Sequence, residues 1–387
     1  MTREIIMGID VGTSSVKTII AEKNKSDAAP YILGAGISPS HGLRKGVIIN
    51  TQDVAIAIKN SVKNASKNLN NKPRQAFVSI NGIGIDGIKS KGSVVVSRAD
   101  HEISENDLKR VISQSEEQLK RSSSPYILNR EILHTFPLSY RIDNETIIGD
   151  PAGMKGGKLE VETLFITVPS QHLSNLLKSV DMAGITVEDI VADPLAMSHA
   201  ILNKKEKEVG CLLVSIGGDI SSLIVFEEGN PISLEILPIG SNHITYDIAQ
   251  GFQVLLEEAD QLKMNYGNDL ATKKKLNTII VPRLNDIFEL IENHLVKIKR
   301  TKLLPAGIII SGGGANLSGI DEIAKSSLKL PTRLSRPSLS AINDPVWSVA
   351  LGLCYAGFGE KNNSIGAGGI GSKAKNLFSR CIKNLLP

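Results

Sequence analysis

One pattern occurs twice in this chain: an apolar strand, a glycine-containing turn and a second apolar strand. It reads IIMGIDVGTSSVKTII at 5–20 and GCLLVSIGGDISSLIVFEEG at 210–229. Such segments are hairpins, and their recurrence predicts two similar halves. The length permits this, since 387 residues accommodate two domains at roughly 100–200 residues each.

Composition removes several classes. At 41% apolar with mean hydropathy near zero, the chain is neither disordered, collagenous nor fibrous. Cys211, Cys354 and Cys381 are far apart and form no C-x-x-C, which argues against a disulfide framework or a cysteine zinc site and for a reducing compartment. The seven histidines show no ligand-like spacing. The net charge of +4 is local, because 361–387 hold Lys361, Lys373, Lys375, Arg380 and Lys383 and no acid. The body is close to neutral, so no nucleic acid is expected as a partner, and the tail alone suits an anionic target. MTREIIMGID does not read as a signal peptide, and no run reaches the ~18 apolar residues of a membrane span.

Between the hairpins, periodicity predicts a strand at 31–37, a helix at 52–69 and a buried strand at 76–82. The stretch 84–162 changes character: a polar helix at 104–121, opened by Ser104 with Asp107 three residues on, and short strands at 131–142 and 146–149. It reads as an inserted α+β unit. A strand at 164–170, a helix at 170–184, a strand ending at Asp193 and a helix from Pro194 follow. KKEKE at 204–208 reads as a charged connector. Helices at 242–266 and 283–300, a strand at 306–314, and helices at 319–329 and 345–357 complete the second half, before a Gly/Ser/Asn linker at 361–372.

The turns carry the chemistry. Asp10, Gly12, Thr13 and Lys17 form D-x-G-T-x-x-x-K, in which glycine admits close backbone approach, amides and hydroxyls bond phosphate oxygens, and lysine neutralises them. Asp10 can orient magnesium-bound water. Gly217–Gly218 form a second such turn, and ISGGGA at 310–315 a third.

In that order the set resembles the actin-like ATPase superfamily, the duplicated ribonuclease-H-like fold whose halves close over a nucleotide. The resemblance implies ATP with Mg²⁺ as cofactors. It puts Gly12, Thr13, Ser14, Ser15, Lys17, Gly217 and Gly218 on phosphates, and Gly312, Gly313 and Gly314 behind the adenine. Asp193 in VADPLAM falls near the attacking water. Gly240 in GSNHITYDIA, with Asp260 and Lys263 in EADQLK, falls at the ribose.

HGLRKGVIIN at 41–50, AFVSING, ILHTFPLSYRID at 132–143, PVWSVALGL at 345–353 and the tail further resemble the FtsA family of cell-division proteins. This implies domain I at 1–83 with 163–203 and part of 340–360, and an SHS2-like subdomain IC at 84–162. Domain II spans 204–340, with subdomain IIB near 265–300. It also implies filaments of the chain itself, the FtsZ C-terminal tail as a partner at IIB, other division proteins, and a peripheral place on the cytoplasmic face of the membrane at the division site. IC is expected to pack on a neighbouring subunit and to be removable without loss of nucleotide binding.

Two departures stand out. The family's second turn usually reads D-I-G-G-G-T-x-D, whereas here Ser215 to Ser222 read S-I-G-G-D-I-S-S: both family aspartates are absent and Asp219 stands where a glycine should approach phosphate, so slow or absent hydrolysis is expected. The segment after Asn265-Tyr266-Gly267 is short, so IIB is expected to lack part of its sheet. A PilM-like pilus-assembly adaptor shares the fold without such a tail. A small-molecule kinase would need an acid cluster in the first domain that the sequence lacks.

The tail, 373–387, is predicted to be an amphipathic helix. At 100° per residue, Leu377, Phe378, Cys381, Ile382, Leu385 and Leu386 fall on one side, and Asn376, Ser379, Arg380, Lys383 and Asn384 on the other. Basic, acid-free and tethered, it suits anionic lipid. One such tail binds weakly, and a row of them on a polymer binds by effective concentration. Phe378→Glu or Leu385→Glu is expected to abolish co-sedimentation with anionic vesicles, and Lys383→Glu to weaken it in a salt-dependent way; retention of both apolar-face variants on the vesicles would refute the membrane assignment.

Overall fold

The computed structural model describes residues 4–363 except 25, 26, 28, 122–127, 268, 269, 338, 340 and 341. The first hairpin is β1 (Glu4–Val11) and β2 (Ser15–Lys23), joined on its outer side by β3 (Tyr31–Pro39). From Ile6 onward β1 is fully buried, as its near-continuous apolar run requires of a strand covered on both faces. A small hairpin, β4 (Leu43–Arg44) and β5 (Val47–Ile48), leads to α1 (Thr51–Ala65). The Asn50 side chain caps α1 by accepting from the Gln52 and Asp53 amides, which satisfies donors that a helix start leaves unpaired. Next, β6 (Gln75–Ile80) enters parallel to β1.

A second, smaller sheet follows. It comprises β7 (Asp86–Val95), β8 (Arg130–Ile142), β9 (Glu145–Ile147) and β10 (Lys158–Pro169) in the order β7-β10-β8-β9, with α2 (Glu105–Arg121) packed on it. Ser104 and Asp107 cap α2 as their spacing predicts: Ser104 Oγ donates to Asp107 at 2.6 Å, and the Asp107 amide donates back at 3.4 Å.

The chain returns through α3 (Ser170–Met182), β11 (Thr186–Ala192) and α4 (Asp193–Ile201), which complete a sheet of order β11-β6-β1-β2-β3. After α5 (Lys204–Val209), the second lobe repeats this plan. β12 (Cys211–Ile216), β13 (Ser221–Glu227) and β14 (Asn230–Leu237) are antiparallel neighbours. Then come α6 (Ser241–Phe252), α7 (Leu256–Met264) and α8 (Leu270–Lys297), followed by β15 (Ile308–Ser311), α9 (Ile320–Leu328) and β16 (Thr332–Leu334). The order β14-β13-β12-β15-β16 matches the first sheet strand for strand. Finally, α10 (Ser348–Asn363) crosses back to pack on β1 and α4. This is the actin-like α/β fold with an inserted α+β unit.

Several expectations change. KKEKE is a helix, α5, because Asn203 and Glu206 form a reciprocal capping box. The helix placed at 242–266 is two helices, broken where Gln253 adopts a left-handed conformation. The helix at 283–300 begins at Leu270 and runs through Pro282. α10 continues to Asn363, into the stretch expected to be a linker from 361; the rest of that expected linker and the expected helix at 373–387 lie outside the described residues. Among the described residues, 238–307 contain helices and no strand.

The boundary at 162/163 falls inside β10. Leu159 and Val161 pack in the small core with α2, whereas Leu164, Ile166 and Val168 join the first lobe's core together with Phe136 of β8. Cutting out 84–162 would sever this strand and strip Phe136 from the main core, so the excised chain is expected to lose solubility rather than remain a nucleotide-binding monomer.

The close seat of α1 gives a direct check on the packing. A Cβ on Gly36 would lie 2.1 Å from the Ser61 carbonyl oxygen. Gly36→Ala is therefore expected to cost ~1–3 kcal/mol of stability as an overpacking change, read as a lower urea midpoint at unchanged slope.

Candidate functional site

The lobes meet over a cleft of about 580 Å³. Its first wall is the β1–β2 turn. Asp10 and Lys17 are paired across the two strands, which brings Lys17 Nζ to 3.0 Å from Asp10 Oδ2. The other carboxylate oxygen accepts from Ser79 Oγ at 3.3 Å, and Ser79 Oγ in turn accepts the Val11 amide at 3.1 Å. Both ions are buried, and burial is tolerable because each is partnered. Gly12, Thr13, Ser14 and Ser15 complete this wall.

The facing wall is the β12–β13 turn, with Ser215, Gly217 and Gly218. The carbonyls of Gly217 and Gly218 accept the Ser241 and Asn242 amides at 2.9 and 2.8 Å. This contact defines Gly240, whose added Cβ would sit 2.4 Å from the Gly218 oxygen. Gly240 does not line the cleft, contrary to the expectation from sequence; it lets the start of α6 press against the back of the turn.

Asp219 also departs from expectation. Its Oδ1 accepts from Asn242 Nδ2 at 2.8 Å, and its Oδ2 from the Lys45 backbone amide at 3.4 Å. It is absent from the cleft lining, so its charge does not face the position where a phosphate would sit. The side chain instead bridges to the β4–β5 hairpin of the first lobe.

Gly312, Gly313 and Gly314 line the cleft where β15 ends, and Asp260 and Lys263 line it from α7. The last two form an ion pair at 2.7 Å, and Thr245 Oγ1 accepts from Lys263 at 2.7 Å. Thirteen of the fourteen residues assigned to nucleotide are thus gathered around one cavity, Gly240 being the exception.

Asp193 opens α4 at the deep end. Asn81 Nδ2 donates to its Oδ2 at 2.7 Å, while Oδ1 is buried with no protein partner among the described residues. Burial, followed by the charge of Asp10, pushes Asp193 up to about 7. The backbone before it is held from the inserted unit: His134 Nε2 accepts the Ala192 amide at 3.1 Å. Burial holds His134 at about 4, so the imidazole stays neutral, with its proton on Nδ1. Sequence reasoning missed Ser79, Asn81 and His134. Ser79 and Asn81 lie in or just after a strand read only as buried, and His134 had no ligand-like spacing to single it out.

The raised Asp193 gives a signed prediction. Between about pH 4, the ordinary carboxylate range, and about pH 7, the native chain holds a proton that the unfolded chain has released. Stability therefore falls as pH rises through this window and is flat above it. Asp193→Asn removes that fall and is expected to be the more stable protein at pH 8, by on the order of 2–4 kcal/mol, in urea titrations across pH.

Comparison with known proteins agrees with this geometry. The family model described as "Cell division protein FtsA" matches residues 212–352, and that described as "SHS2 domain inserted in FTSA" matches 82–167. The chain is 34% identical to the cell division protein FtsA of Borreliella burgdorferi, over 99% of this chain and 98% of the relative. Among solved structures, it resembles the PilM-PilN type IV pilus biogenesis complex, with TM-score 0.68 and 18% identity over 91% of this chain and 98% of the other. It also resembles MreB5 of Spiroplasma citri bound to ADP, with TM-score 0.53 and 13% identity over 94% and 99%. The structural likenesses establish the actin-like fold and do not favour a pilus-assembly role. The near full-length sequence match decides the family: the chain belongs to the FtsA cell-division proteins.

Proposed function

We propose that this chain binds ATP with Mg²⁺ in the interlobe cleft, assembles into filaments and holds the FtsZ C-terminal tail at the cytoplasmic face of the membrane. The observation that carries this reading is the convergence of three glycine turns, the buried Asp10–Lys17 pair and Asp193 on one cavity. Backbone amides of the two hairpin turns and the Lys17 ammonium suit the phosphates, and Asp260 with Lys263 suits the ribose. Gly312, Gly313 and Gly314 suit the face of the base.

The residues fit magnesium held through water. Among the described residues no cluster of three or more His, Cys, Asp or Glu could cage a metal. Magnesium in nucleotide sites keeps several waters and phosphate oxygens as ligands. Asp10 and the unpartnered Oδ1 of Asp193 supply the acceptors such waters need. When bound, the ion would neutralise phosphate charge. Hydrolysis is slow in this reading. Ser215 can donate a hydrogen bond but supplies no carboxylate, which leaves Asp193 alone to orient water.

In the same proposal the inserted unit contacts the next subunit, the IIB region near 265–300 receives FtsZ, and 373–387 reaches anionic lipid. No helix among the described residues is long and apolar enough to cross a membrane. Attachment then rests on the tail, strengthened by assembly, and other division proteins join at the same place.

Lys17→Ala is expected to weaken binding of a fluorescent ATP analogue by about 1.5–3 kcal/mol, the worth of a charge-assisted contact. Equal affinity of the two proteins in a calorimetric titration would remove the nucleotide from this cleft.

A further inference from the structure

Asn81 follows β6 directly, and its side chain holds three partners. Nδ2 donates to Asp193 Oδ2 at 2.7 Å, and Oδ1 accepts both the Gly82 amide at 2.9 Å and the Ser222 hydroxyl at 3.1 Å. Its own carbonyl oxygen lies 2.8 Å from His172 Nε2. The orientation of the amide is fixed by these neighbours. The Gly82 N–H can only donate, so the Asn81 oxygen faces it and the nitrogen faces Asp193. An Oδ2 that accepts from Asn81 carries no proton on that side. The other oxygen, Oδ1, is buried and has no hydrogen-bond partner among the described residues.

Ser222 lies on β13, in the other lobe. The contact from Ser222 to Asn81 thus crosses the cleft, and it continues through one amide group to Asp193. A second bond crosses from the same turn, from the Lys45 amide to Asp219 at 3.4 Å. Asp193, Asn81 and Ser222 thus form one hydrogen-bonded chain from the first lobe to the second.

We propose that Asn81 is a positioning residue that ties the orientation of Asp193 to closure of the second lobe through Ser222. This deepens the nucleotide-site reading and rests on it. With the lobes closed, both hydrogen bonds to the Asn81 oxygen hold the amide nitrogen on Asp193 and leave Oδ1 toward the cleft. With the lobes apart, Asn81 keeps Gly82 alone and can turn, and Asp193 loses its fixed donor.

The test uses the full chain and a fluorescent ATP analogue with Mg²⁺, with release followed by stopped flow. Ser222→Ala, which deletes only the hydroxyl, is expected to release the analogue about five-fold faster, the worth of one hydrogen bond. Ser222→Thr, which restores the hydroxyl, is expected to return release to the wild-type rate. Asn81→Ala combined with Ser222→Ala is expected to release no faster than Asn81→Ala alone, because both act through one contact. Additive effects, or a wild-type rate in Ser222→Ala, overturn the proposal. If Asn81→Ala does not fold, the Ala and Thr variants at 222 decide alone. A nucleotide-free arm separates the two readings: in Ser222→Ala the Gly82 amide is expected to exchange hydrogen faster, with recovery in Ser222→Thr. Failure of the wild type to bind the analogue would defeat the nucleotide reading, and unchanged Gly82 exchange would defeat the role of Asn81.

Discussion

Two carboxylates and one ammonium share the buried floor of the cleft, and the rest of the site is arranged around that imbalance. Lys17 sits 3.0 Å from Asp10 and satisfies it, with help from Ser79. Asp193 is left with an amide rather than a cation as its partner. A buried charge without an ionic partner gives way by holding a proton, and Asp193 accordingly moves to about 7. The same floor that accommodates a phosphate-binding lysine thus produces an acid balanced between its two forms. The hairpin register that pairs Asp10 with Lys17 is what makes both outcomes follow from one turn.

The elements most legible in the sequence were those in which local pattern and tertiary role coincide. Buried strands such as β1 and β12 are nearly continuous apolar runs because both faces are covered, and the glycine turns stand out because backbone must approach backbone. What remained hidden depended on partners distant in sequence. Nothing near Asp219 indicates that Lys45 and Asn242 draw its carboxylate away from the cleft. Gly240 was assigned to the ribose from its motif, yet what constrains it here is the neighbouring turn, whose Gly218 oxygen a Cβ would meet at 2.4 Å. β7 alternates exposed and covered positions, but two of the covered ones are Ser90 and Gly92, so it lacks the apolar alternation that announces a strand. The α6–α7 break falls at Gln253, a residue type that gives no warning of a left-handed turn.

The duplicated plan also explains where the differences between lobes lie. Both sheets have the same strand order, so both hairpin turns arrive at the cleft from opposite sides. The first presents a lysine and an aspartate. At the second, the position opposite carries Ser215, and the residue that faces away, Asp219, ties the lobes together. The carboxylate of Asp219 is held by the Lys45 amide and by Asn242 and is turned from the cleft.

A strand that serves two cores acts as a tie rod. β10 is anchored at one end among the side chains of the inserted unit and at the other in the main core, with no joint between. Its neighbour β8 carries His134, whose imidazole grips the amide immediately before Asp193. The inserted unit and the deep end of the cleft are therefore joined by a shared strand and one hydrogen bond rather than by a linker, with β8 stepping out of regular register on either side of His134, so the outermost unit of the molecule cannot be redrawn without redrawing the seat of its most buried acid.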